Sequence, residues 1–152
     1  RSLSIRLQIE NTDIEEFSFT AALHTYLKVH DVRNAVLSDL SACDYWSNGD
    51  DFADRARPTT AALTFNKSID RIYFCGPRVL TLQEGQQVRT IESEGFADTV
   101  VWNPWREGAK ALNDMADEEY SKMLCVESAA VESAIILTPD ERWIGQQTIQ
   151  VC

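Results

Sequence analysis

The feature that most constrains this chain is the period-two alternation of its apolar residues. Residues 2–10, SLSIRLQIE, place Leu3, Ile5, Leu7 and Ile9 on one side and Ser2, Ser4, Arg6 and Gln8 on the other. Side chains alternate across a β-strand with that period, so the segment reads as a half-buried strand. The next apolar stretch repeats the pattern. Phe17, Phe19, Ala21, Leu23, Thr25, Leu27 and Val29 share one parity, and Ser18, Thr20, Ala22, His24, Tyr26, Lys28 and His30 share the other. The spacing predicts one strand with an oily face. His24 projects from the opposite face, beside small and hydroxyl side chains, where a ligand can reach it.

Further short strands follow at regular intervals. VRNAVLSDL reads as a strand and a turn, and DYWSNGDDFADRARP, rich in Asn, Gly and Asp, reads as a long loop. AALTFN, SIDRIYFC, RVLTLQEG, QVRTIESEG and ADTVVWNP come next, and LTLQEGQQVRTI has the form of a hairpin turning near Glu84 and Gly85. That cadence predicts an all-β sandwich or barrel. One helical segment interrupts it: Asn103 is a candidate cap, Pro104 suits the first helical position, and WREGAKALNDM continues in helix-tolerant residues. Gly108 weakens this helix, so a short helix or irregular excursion is expected near 104–115. SKMLCVESAAV, SAIILTPDERW and QQTIQV return to strand. No repeat, low-complexity tract or linker divides residues 1–152, which predicts a single domain.

Composition narrows the function classes. The 152 residues carry 24 acidic and 14 basic side chains, a formal net charge of −10, with no offsetting basic cluster. Such a surface repels nucleic-acid phosphate and anionic membranes, so neither is an expected partner. No apolar run approaches the ~20 residues needed to cross a bilayer. No signal peptide is recognised, and a cytoplasmic location is the expectation. Cysteines at 43, 75, 125 and 152 form no CxxC and no cysteine–histidine cluster, which suits reduced, mostly buried thiols better than zinc or disulfides.

The candidate chemistry is acid–base. His24 is weighed against a half-buried histidine bonded to a neighbour. His30 shares its face, but six residues of strand separate the two by about 20 Å, too far for one metal. Glu127 lies in the apolar segment MLCVESAAV, where a carboxylate must face solvent, find a partner or line a site. Asp70 in SIDRIYFC is similar, with Arg71 on the other face. Trp102 and Trp105 bracket Asn103-Pro104, either as sugar-stacking rings or as a packed corner. Phosphate-binding glycine loops, HExxH and GxSxG are absent from the sequence.

Taken together, SFTAALHTYLKV, SIDRIYFC, DTVVWNPWREGAKALNDMADEEYSKMLCVE and the closing TPDERWIGQQTI resemble the aldose 1-epimerase family, in its hexose-6-phosphate mutarotase (glucose-6-phosphate 1-epimerase) branch. The resemblance implies a galactose mutarotase-like β-sandwich (supersandwich) with a carbohydrate cleft. By position it implies His24 as general acid, Glu127 as general base and Asp70 as a sugar-binding carboxylate, with neither metal nor organic cofactor. The implied reaction interconverts the α and β anomers of an aldohexose, phosphorylated at O6, by ring opening and closure. The alternative is a carbohydrate-binding or interaction domain that lost turnover. Members are about twice this long, and the match is to their C-terminal half. Their phosphate-holding arginines have no counterpart here: nothing in context marks Arg55, Arg57, Arg71 or Arg78. A half-sandwich exposes sheet edges, so a homodimer or a complementing N-terminal segment is expected.

Overall fold

In the computed structural model, which describes residues 1–52, 54–74 and 76–152, the predicted alternation resolves into two antiparallel sheets packed face to face. The strands are β1 (Ser2–Glu10), β2 (Phe17–Leu23), β3 (Tyr26–Lys28), β4 (Ala35–Ser38), β5 (Tyr45–Ser47), β6 (Ala62–Thr64), β7 (Ile69–Tyr73), β8 (Val79–Glu84), β9 (Gln87–Glu94), β10 (Asp98–Asn103), β11 (Met123–Leu137) and β12 (Arg142–Val151). One sheet runs β1-β12-β9-β8-β4-β6. The other runs β2-β11-β10-β7-β5, with β3 also paired to β11. The all-β sandwich expected from the sequence is therefore what forms.

The core lies between the sheets. Leu37, Leu80, Leu82 and Ile91 from the first sheet meet Leu27, Ile69, Val101, Leu124 and Val126 from the second. Each alternates along its strand with residues on the outer face, as period two requires. The predicted hairpin is β8–β9, and Gly85 at its tip has φ +59, the left-handed backbone that glycine adopts without steric cost. The sheets end in β1 and β6 and in β2 and β5, and β1 and β2 lie beside the strands β12 and β11 that follow one another in the chain. Leu3 on β1 and Phe17 on β2 are exposed.

Several local expectations are corrected. The Phe17–His30 stretch is two strands rather than one, pausing at His24–Thr25. The register against β11 nevertheless runs through the pause, from Leu23 opposite Ser128 to Tyr26 opposite Cys125. A Val126 N–H to Thr25 carbonyl bond of 3.1 Å keeps the ladder closed. At the pause, the Thr25 hydroxyl donates to Gln147 Oε1 on β12, while Gln147 Nε2 donates to the Val126 carbonyl and to Ser128 Oγ. Gln147, fully buried between the sheets, thus holds the backbone behind both His24 and Glu127.

The segments read as two strands after Lys122 are one fifteen-residue strand, β11. Its continuity was hidden by a bulge, where Val131 to Ala134 lie opposite the single residue Thr20 of β2. The bulge takes Val131 and Glu132 N–H groups out of the ladder, and buried Asp98 Oδ2 accepts both, at 2.8 and 2.9 Å. The region read as a long loop holds β5. VRNAVLSDL begins with a 3₁₀ turn at Val32–Asn34 before β4.

The helical excursion is α1 (Trp105–Ala111), and Pro104 sits just before it rather than at its first position. Asn103 makes the corner. Its Oδ1 accepts from the Trp105 N–H, and its Nδ2 donates to the Tyr120 and Met123 carbonyls at 2.8 and 2.9 Å. Trp105, with φ +58, turns inward against the core and Tyr120. Trp102, still on β10, stays on the outer face. The two tryptophans that the sequence pairs therefore do different work. Cys43 and Cys125 are buried and Cys152 is exposed, with no disulfide among these three; Cys75 lies outside the described residues. No described helix is long and apolar enough to cross a membrane.

Candidate active site

The outer face of the second sheet carries a cleft of about 450 Å³ whose lining includes His24, Tyr26, Asp70, Trp102 and Glu127. Strand register assembles it. Continuing the β3–β11 ladder by two residues sets His24 opposite Glu127, and Val100 of β10 faces Glu127 from the other side. One row along, Tyr26, Cys125, Trp102 and Asp70 face one another across β3, β11, β10 and β7. All three residues expected from the sequence fall on this one face.

His24 Nδ1 lies 3.0 Å from Glu127 Oε1. The contact is asymmetric: the His24 side chain is 70% exposed and that of Glu127 only 6%. A buried carboxylate without partners is costly, so what surrounds Glu127 matters. Among the described residues, the side-chain hydrogen bond to Glu127 comes from the thiol of Cys125, whose Sγ donates at 3.1 Å to the same Oε1 that His24 contacts. The thiol bond and the His24 contact converge on one oxygen, which leaves Oε2 for a ligand. Burial, then the hydrogen bond to Glu127 and its charge, pushes the Cys125 thiol well above its ordinary range, so it keeps its proton and acts as donor. Tyr26 is raised as well, by burial first and then by Cys125, Glu127 and Asp114.

Asp70 lies two strands from β11, about 10 Å across the sheet. Its Oδ2 accepts from Asn48 Nδ2 at 2.8 Å, and Asn48 N–H bonds back to the Asp70 carbonyl. Asn48 thereby fixes the carboxylate on the far rim. Arg71, on the opposite face as expected, stacks 4.2 Å from the Tyr45 ring centroid. Trp102 stands between Asp70 and Glu127, its ring 5.9 Å from that of Tyr26. His30 is exposed and outside this cleft. No group of three or more His, Cys, Asp or Glu side chains that could hold a metal occurs among the described residues.

Residue pattern alone did not find Cys125 or Asn48. Cys125 reads as an inert buried thiol, although its i, i+2 relation to Glu127 puts both on one strand face. Asn48 sits in a polar run whose pairing partner is 22 residues away.

The match of the aldose 1-epimerase family model covers residues 1–150 of the chain. The chain belongs to the aldose 1-epimerase family. It is 39% identical over 147 residues to a candidate glucose-6-phosphate 1-epimerase of Cenchrus ciliaris, covering 95% of this chain and 44% of that protein. A protein of the same description from Salmonella typhimurium is 30% identical over 121 residues, 74% of this chain and 38% of that one. This chain thus spans less than half the length of these relatives. In fold, the crystal structure of a candidate mutarotase from Salmonella typhimurium superposes with a TM-score of 0.85 at 24% identity, over 98% of this chain and 50% of that one. A Synechocystis protein superposes at 0.75 with 13% identity, over 99% and 50%. These likenesses establish a galactose mutarotase-like fold at about half length.

Proposed function

We propose that this chain catalyses anomer exchange of an aldohexose 6-phosphate, with His24 as general acid, Glu127 as general base and Asp70 holding a sugar hydroxyl. The observation that carries the reading is the direct contact of exposed His24 with buried Glu127 in a cleft that Asp70 also lines. The hydroxyl oxygen and ring oxygen to be addressed are both bonded to C1, so an acid and a base in contact suit them. Glu127 Oε2 takes the proton of the anomeric hydroxyl as His24 protonates the ring oxygen. The C1–O bond of the ring breaks, leaving an open-chain aldehyde. After rotation about C1–C2 the freed hydroxyl attacks the other face of the carbonyl, and both protons return. Each positioned transfer contributes ~10²–10⁴ in rate. Trp102 offers an apolar surface for the sugar C–H face.

A phosphorylated substrate implies a cytoplasmic enzyme, because a dianion does not cross a bilayer unaided. The cations that hold its phosphate are assigned to a companion β segment that also covers the open β1 and β2 edges. Sedimentation tests this: a monomer that binds the sugar phosphate alone overturns it, and a dimer replaces the companion with a second copy.

The test of the activity is anomer exchange by NMR, starting from α-glucose 6-phosphate, with glucose and galactose alongside. Exchange above the spontaneous rate that disappears in His24→Ala and in Glu127→Gln is the expected result. No acceleration of any of the three sugars overturns the reading.

A further inference from the structure

We propose that Cys125 is a positioning residue for Glu127, its thiol holding one carboxylate oxygen so that the other faces the cleft. The inference rests on the reading of Glu127 as the base. Cys125 and Glu127 are two residues apart on β11 and point to the same side, whereas Leu124 and Val126 between and beside them point into the core. Cys125 is fully buried, opposite Tyr26 on one side and Trp102 on the other. Its Sγ reaches Glu127 Oε1 at 3.1 Å, the oxygen that His24 Nδ1 also contacts at 3.0 Å.

The thiol hydrogen bond on Oε1, beside the His24 contact to the same oxygen, fixes the carboxyl rotation. His24 alone, mostly exposed, sits on a side chain free to move when a sugar enters. The thiol is held differently: it is fully buried, flanked in register by Tyr26 and Trp102, on the same strand as the base. A buried cysteine whose only role is packing needs no acceptor. This one meets the carboxylate that must present a free oxygen to the anomeric hydroxyl. A proton-retaining thiol is suited to that task, because it donates without adding a second charge beside the base. The reaction gains through geometry, since a misdirected base loses rate even when substrate still binds.

The test compares Cys125→Ala with Cys125→Ser in anomer exchange. The expected result is a roughly tenfold fall in kcat for Cys125→Ala with KM within about twofold, the signature of a lost interaction made in turnover rather than in binding. Cys125→Ser, which keeps a hydroxyl donor, recovers most of the rate. On a Glu127→Gln background Cys125→Ala has no further effect, because the thiol acts through Glu127. The S–H stretching band, isolated as wild type minus Cys125→Ser, lies at the lowered frequency of a thiol donating to a carboxylate and rises in Glu127→Ala. An undiminished kcat in folded Cys125→Ala, or a band at the free-thiol frequency, overturns the positioning role. Absence of exchange in the wild-type chain overturns the functional reading instead, and with it any role of the thiol in turnover.

Discussion

The two outer faces of this sandwich are built from the same strand alternation and are chemically opposite. On the first sheet the outward residues are Ser4, Arg6, Thr148, Gln146, Glu92 and their neighbours, and they satisfy one another in open solvent. Ser4 bonds Thr148, Arg6 bonds Gln146, Arg78 pairs with Glu92 and Glu94, and Arg142 pairs with Glu10. On the second sheet the outward residues include His24, Tyr26, Trp102, Cys125 and Glu127, and here a buried carboxylate meets an exposed histidine and a buried thiol rather than an arginine. A face that cancels its charges with exposed arginines is solvated surface. A face that buries a carboxylate and leaves one oxygen open is equipped to move a proton.

That contrast is broken most sharply at its centre. Glu127→Gln or His24→Ala is expected to lower anomer exchange by at least ~10²-fold, the scale of a lost general acid or base. Neither change should alter the fold, as read by circular dichroism. An equal loss from Arg78→Ala on the other face would show that the two faces do not differ in the way proposed.

The next effect comes from behind the cleft. Gln147→Leu keeps the volume but removes the amide that joins Thr25, Val126 and Ser128. The stranded Val126 carbonyl and the Ser128 hydroxyl are buried, so a cost of about 2–3 kcal/mol is expected from groups left unsatisfied. A urea titration reads it directly, and a midpoint equal to wild type would show that the inter-sheet amide holds nothing in place. Asn103→Ala is expected to cost about the same, since it frees the Tyr120 and Met123 carbonyls.

These residues also mark where the sequence was readable and where it was not. β1 is legible because one of its faces is apolar and the other is wet. His24 was placed on the correct face for the same reason. β11 was not read whole, because Met123 to Ala130 are buried on both faces and alternation carries no signal there. The bulge after Ala130 then breaks the period, and its freed N–H groups are satisfied by Asp98, 33 and 34 residues away in the chain. The Cys125–Glu127 contact was unreadable for the same reason: where both faces are dry, parity no longer says which side has a site.

A smaller effect separates the faces by pH. Burial raises the Tyr73 phenol in the core above its ordinary value of 10.0, against an opposing pull from Arg71, and burial raises the Cys125 thiol above 9.0. For both groups the folded state holds the proton more tightly than the unfolded chain does. Their contribution is therefore fully present below the unfolded values and is lost as pH rises beyond them. The urea midpoint of the wild type should begin to fall near pH 9, and that of Cys125→Ser only near pH 10. Identical onsets in the two proteins would mean that the thiol is not held protonated by its surroundings.

The smallest effect is expected on the solvated face, and it completes the comparison. Arg142 Nη2 lies 2.8 Å from Glu10 Oε2, linking the end strand β1 to β12, with both side chains about half exposed. By distance this is a good ion pair, shorter than the His24–Glu127 contact. In water, however, Coulomb attraction is screened and holding two long side chains in one geometry costs entropy, so such pairs contribute ~0–1 kcal/mol. Arg142→Ala should thus move the urea midpoint by an amount corresponding to about 0.5 kcal/mol or less, shrinking further in 0.5 M salt, and leave anomer exchange unchanged. A larger, salt-independent loss would mean that the pair is shielded from solvent when the protein is at work. It would place covering structure over the β1 edge, where Leu3 is also exposed.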